Sequence, residues 1–119
     1  MHQPTCFPIG IILTSVDDAS TAKTLALGLI EAHLAACVQI SPAGTSMYRW
    51  NNALEESSEF YLSIKAPVDR MQDITGWLQQ HHPYDIPEIV ILEAQAASAY
   101  FAGGQTQKKR RGPEKRRAV

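Results

Sequence analysis

The chain has 119 residues, 45% of them hydrophobic and 19% charged, which leaves room for one core with a tail and excludes two domains of ordinary size. Its formal net charge of −1 conceals a division: residues 1–102 set four basic against eleven acidic side chains (−7), while residues 103–119 carry seven basic side chains and one Glu (+6). An acidic body excludes an electrostatic hold on nucleic acid, and no apolar run reaches the ~18 residues that a membrane span needs.

Phe7-Pro8-Ile9-Gly10-Ile11-Ile12-Leu13 is apolar and β-branched and reads as a buried strand, with Pro8 near its beginning because proline cannot donate to a ladder. Asp17 and Asp18 then offer N-cap oxygens. From Ala19 to Leu34 the residues Ala22, Leu25, Ala26, Leu29 and Ala32 recur at helical spacing, with Gly28 as the weak point. Ala36-Cys37-Val38-Gln39-Ile40 resumes strand character. Ser41-Pro42-Ala43-Gly44 interrupts it as a bulge or kink, and Thr45 to Trp50 continues it. Asn51-Asn52 is a turn, since asparagine tolerates positive φ. Glu59 to Lys65 alternates cleanly, so the two strands around that turn form a long hairpin.

Pro67 suits the first turn of a second helix, whose stripe is Val68, Met71, Ile74, Trp77 and Leu78. The helix ends near His82 because Pro83 disfavours helical geometry in the residue before it. Pro87 opens a final strand, Glu88 to Leu92. Ala94 to Ala102 has the composition of a third helix, stopped by Gly103-Gly104, and the polar, basic remainder lacks periodicity and reads as disordered. The expected fold is α+β: a ferredoxin-like βαββαβ domain over residues 1–102, with a four-stranded antiparallel sheet in the order 4-1-3-2. Residues 103–119 are a basic tail.

Cys6 and Cys37 are far apart and belong to no CxxC pair, and the chain's start lacks a basic region followed by a long apolar one. A cytoplasmic, reducing setting is the expectation. Cys37 and His82 are the metal candidates, because thiolate and imidazole together suit copper and zinc. Each also has a bland role, Cys37 as strand filler and His82 as a helix C-cap. Two ligands do not close a site, so Glu88, Glu59, water or a second subunit would have to contribute. Tyr48, Arg49 and Trp50 form an amphipathic cluster suited to an interface. Alternatively, Arg49 and Lys65 make an anion-binding pair, with Tyr84 and Glu88 on the wall. Glu55, Glu56 and Glu59 read as a solvated face. No G-x-S-x-G, P-loop or oriented nucleophile is present, so an enzyme is not expected.

Ala35-Ala36-Cys37-Val38, Ser46-Met47-Tyr48-Arg49-Trp50, Lys65 and His82-Pro83-Tyr84-Asp85-Ile86-Pro87-Glu88-Ile89 follow one another in the order and spacing of the CutA family, which this chain resembles from about Phe7 to Tyr100. Gln39 and Ala66 stand where that family favours Asn and Thr. After Tyr100 the family usually continues through a Trp- and Leu-bearing helix, whereas here Phe101-Ala102 runs into Gly103-Gly104. The resemblance implies a homotrimer linked to tolerance of copper and other divalent metals. A trimeric PII-like module sensing a small anion in an inter-subunit cleft is the alternative, by analogy of topology. An RNA-recognition domain shares the element order but would need stacking aromatics on the first and third strands, and these are lacking. Only the tail, Lys108 to Arg117, has the composition to touch nucleic acid, nonspecifically.

Overall fold

A computed structural model describes residues 6–97. In chain order the elements are β1 (Cys6–Val16), α1 (Ala19–Glu31), β2 (Cys37–Ile40), β3 (Gly44–Trp50), β4 (Ala53–Ala66), a 3₁₀ turn (Val68–Arg70) running into α2 (Met71–His81), and β5 (Val90–Ala97). The sheet is antiparallel and ordered β2-β4-β1-β5, with β3 also on β4. This is the expected 4-1-3-2 order with the second strand broken in two, which makes five strands instead of four.

The break has a countable cause. Along β2 the partners run Cys37↔Lys65 to Ile40↔Leu62, and along β3 they run Gly44↔Glu59 to Trp50↔Ala53. The Ser41 N–H still bonds the Tyr61 carbonyl, at 2.9 Å, so Pro42 and Ala43 together oppose Phe60. Two residues against one is a β-bulge, and it reverses which side chains of the strand face each side of the sheet.

Side chains of β1 and β4 divide by parity. Ile12, Val16, Leu62, Ile64 and Ala66 point to the helices and form one buried core with Ala22, Leu25 and Leu29 of α1 and Met71, Ile74 and Leu78 of α2. The opposite face, carrying Ile11, Leu13, Tyr61 and Ser63, has no helix on it among the described residues. Asp18 caps α1 as expected: its Oδ1 accepts the Thr21 N–H at 2.8 Å and its Oδ2 the Thr21 hydroxyl at 2.6 Å. Those two bonds, the hydroxyl's first, hold its carboxyl below the ordinary value. At the other end α1 stops at Glu31, three residues before the expected Leu34, because His33 turns left-handed (φ 58°) and the Leu34 N–H bonds back to the Leu29 carbonyl. Gly28, the expected weak point, is where α2 approaches: a Cβ there would lie 2.7 Å from the Trp77 ring.

Asn51 and Asn52 both have positive φ (49° and 63°), the geometry of a two-residue hairpin turn. The hairpin is longer than expected. Residues 60–66 of β4 lie in the main sheet beside β1, while residues 53–59 pair with β3 alone and project as a two-stranded arm. The expected third helix is contradicted where it can be seen: Ala94 to Ala97 continue β5, opposite Ile9 to Cys6. Alanine is a good helix former, but a ladder to β1 was available and tertiary pairing overrode propensity. The rest of that segment and the tail lie outside the described residues.

Thr14 sits on the core face between Ile12 and Val16, 1% exposed, and its hydroxyl is a buried side-chain polar atom with no hydrogen-bond partner among the described residues. Thr14→Val keeps the shape and removes the unsatisfied group. It is expected to raise stability by about 1 kcal/mol in urea denaturation; a loss of that size would mean the hydroxyl is satisfied in solution.

Candidate functional site

The segment between α2 and β5 is anchored by His82. It is buried, and its two ring nitrogens have different partners: Nε2 lies 2.8 Å from the Ser15 carbonyl, and the Tyr84 N–H approaches Nδ1 at 3.1 Å. A carbonyl can only accept and a backbone N–H can only donate. The ring therefore carries its proton on Nε2 and presents a lone pair at Nδ1. Both nitrogens are engaged in holding the chain to the end of β1, with the Tyr84 ring edge-on at 4.8 Å. As a metal candidate His82 has both ring nitrogens already engaged, and its place in the structure is that of a pin.

Cys37, the other metal candidate, is half-buried. It lies opposite Lys65, whereas Ser15, the residue His82 grips, lies opposite Tyr61. Four positions along β4 and two strand spacings across it separate them by roughly 16 Å, too far to share an ion within one chain. Glu88 is exposed, on the loop before β5. Among the described residues no three His, Cys, Asp or Glu side chains converge as a metal site.

The anion-binding pair is also separated. Arg49 lies opposite Leu54, eleven positions along β4 from Lys65 and on the other face of the strand. That is roughly 37 Å. Because of the bulge, Tyr48 and Trp50 share a face with Glu55 and Glu59, and Arg49 points away from them.

What the structure brings together is an open cleft of about 800 Å³ between the arm and the loop after His82. Tyr48 and Trp50 line it from β3, Glu55 and Glu59 from β4, and Tyr84, Asp85 and Glu88 from the loop. Tyr84 is half-buried; burial, then the neighbouring Glu59 charge, pushes its phenol up to about 12, and its hydroxyl donates a long 3.5 Å hydrogen bond to Glu59 Oε2. At the base of the arm, the Tyr61 hydroxyl and Ser46 Oγ hydrogen-bond at 2.7 Å, and the Tyr61 ring lies where a Cβ on Gly44 would come within 2.8 Å of it. Only a glycine admits the ring there.

Of the expected residues, Tyr84 and Glu88 line this cleft without the Arg49–Lys65 pair expected beside them, and Tyr48 and Trp50, expected in an interface cluster with Arg49, line it without that arginine. Glu55 and Glu59 were read as a solvated face, and Asp85 was not singled out. The missed signal is in the turn: a two-residue Asn51-Asn52 loop pairs Trp50 with Ala53 and Tyr48 with Glu55, so the glutamates had to follow the aromatics. His81, the solvated neighbour of His82, is exposed. It stacks on Trp77 with ring centroids 4.0 Å apart, and its Nδ1–H donates to the Trp77 carbonyl at 2.8 Å, leaving Nε2 as the acceptor nitrogen of an exposed ring.

An antiparallel sheet with both helices on one face and split β-α-β connections defines a ferredoxin-like α+β protein. Residues 10–103 match the family described as CutA1 divalent ion tolerance protein. The divalent-cation tolerance protein CutA of Pectobacterium atrosepticum is 41% identical over 90 residues, covering 76% of this chain and 81% of that protein. CutA from Synechococcus elongatus superposes with a TM-score of 0.75 at 36% identity, over 78% of this chain and 83% of that one. CutA1 from Oryza sativa gives 0.73 at 30%, over 79% and 86%. The chain belongs to the CutA1 divalent ion tolerance family.

His82→Ala should destabilise the fold by about 2–4 kcal/mol, because it strands the buried Ser15 carbonyl and the Tyr84 N–H, as thermal or urea unfolding would read. Tyr84 predicts an alkaline effect. Its folded value lies above the unfolded 10, so between pH 10 and about 12 the unfolded chain has lost a proton that the folded one keeps, and stability falls as pH rises. Tyr84→Phe should flatten that fall, leaving stability below pH 9 free of this contribution.

Proposed function

We propose that this chain serves divalent-cation tolerance as a homotrimer, taking copper or zinc with His81 as a ligand. The observation that carries the metal side is the orientation of that ring. An imidazole that donates one N–H to a backbone carbonyl and keeps its other nitrogen at the surface has the arrangement of a metal-ligating histidine and its supporting partner. One imidazole binds weakly. Donors from neighbouring subunits, Cys37 and Glu88 among the candidates, would complete the coordination.

Two uncovered surfaces support the trimer. Val90, Ile91 and Leu92 are 43–49% exposed on β5, a strand at the sheet edge, where unpaired backbone groups invite another strand. The arm is a lone two-stranded ribbon bearing exposed Met47 and Leu54, and such ribbons are marginal in water without something to pack on. The alternative of a small-anion sensor needs Arg49 and Lys65 to meet across subunits, since within a chain they lie far apart.

Light scattering should return three times the 13.1 kDa chain mass. Calorimetric titration with copper should find His81→Ala at least ~10-fold weaker than the parent. A variant that binds copper like the parent would remove His81 from the site, and a dilute monomer would remove the assembly.

A further inference from the structure

We propose that the cleft between the arm and the His82 loop is a cation-recognition groove whose occupant is this chain's own basic tail, Lys108 to Arg117. The groove combines two kinds of wall that favour the same ligand. Glu55, Glu59, Asp85 and Glu88 supply four carboxylates, and no Lys, Arg or His side chain lines it among the described residues. Tyr48 and Trp50 are 44% and 59% exposed, so much of their aromatic surface is open, and a cation is drawn to the face of such a ring. Guanidinium and alkylammonium groups satisfy both walls, because they pair with carboxylates and are attracted to aromatic rings.

The spacing favours an extended cationic peptide over a bare metal ion. Glu55 and Glu59 are four positions apart on one strand, ~13 Å, so they address successive charges along a chain instead of one ion. The tail offers such a series: Lys108-Lys109-Arg110-Arg111, then Lys115-Arg116-Arg117 after Gly112-Pro113-Glu114. It is also within reach. Ala97 pairs with Cys6, nine positions along β1 from Ser15 in the cleft wall, or ~30 Å. Lys108 comes eleven positions after Ala97, a span of up to ~36 Å, and Lys115 eighteen positions after it, up to ~60 Å. The whole basic run can therefore lie along the groove, of its own chain or of a second copy. The charge division between an acidic body (−7) and a basic tail (+6) becomes an internal complementarity.

Carbodiimide coupling of the full-length protein in dilute buffer tests this, with the amides formed by Lys108, Lys109 and Lys115 mapped by peptide mass spectrometry. Coupling to the four cleft carboxylates should exceed coupling to Glu31, Asp69, Asp73 and Glu93, which lie outside the cleft, by about five-fold or more. It should disappear in 1 M salt, where screening acts within ~3 Å. Glu55→Gln/Glu59→Gln in the full chain should lower coupling at Asp85 and Glu88 about five-fold while circular dichroism stays unchanged. Spermidine, a free organic cation of the same chemistry, should compete. Coupling spread evenly over all surface carboxylates, or unaffected at Asp85 and Glu88 by the double substitution, would overturn the proposal.

Discussion

The structure depends on one strand. β4 holds the ladder to β1 and β2 with its second half, and the ladder to β3 with its first. The two halves are out of step by the single extra residue opposite Phe60. Without that bulge Thr45, Met47 and Arg49 would face the loop after His82, and the cleft wall would be cationic and aliphatic. With it, Tyr48 and Trp50 lie beside Glu55 and Glu59. The charge of the cleft is thus set by a local backbone insertion as much as by which residues the chain contains.

The second constraint is His82. A buried imidazole with a donor on one side and an acceptor on the other fixes the loop in position and orientation, and places Tyr84 near Glu59. The neighbouring His81, one residue earlier and on the helix, is turned to solvent by its bond to Trp77. Adjacent histidines therefore have opposite settings, one buried and bonded on both sides, the other exposed with Nε2 as acceptor. The same indole that orients His81 fills the space left by Gly28 on α1, so the helix pair and the exposed ring share a support.

Among the described residues the open sheet face, the β5 edge and the arm are uncovered. Membership of the CutA1 family and these surfaces are consistent with each other: α1 and α2 cover one side of the sheet, and the other side has apolar surface to share. The acidic cleft and the basic tail add a second kind of complementarity, electrostatic instead of apolar, and therefore sensitive to salt where the first is not.

Much of the fold was legible in the residues. The Asp18 cap, the Asn51-Asn52 turn, the helix stop before Pro83, the interruption at Ser41 to Gly44 and the element order all rest on local rules of φ, capping and alternation, which act within a few residues and need no partner. The misreadings share the opposite character. Ala94 to Ala97 joined a sheet because β1 was there to pair with; His82 was buried because Ser15, 67 positions earlier, offered a carbonyl; Cys37 and Arg49 were kept from their expected partners by register. Local chemistry is written residue by residue along the chain, and the sequence alone determined that much. Which side chains meet is decided by strand register and parity, and only the tertiary structure counts those.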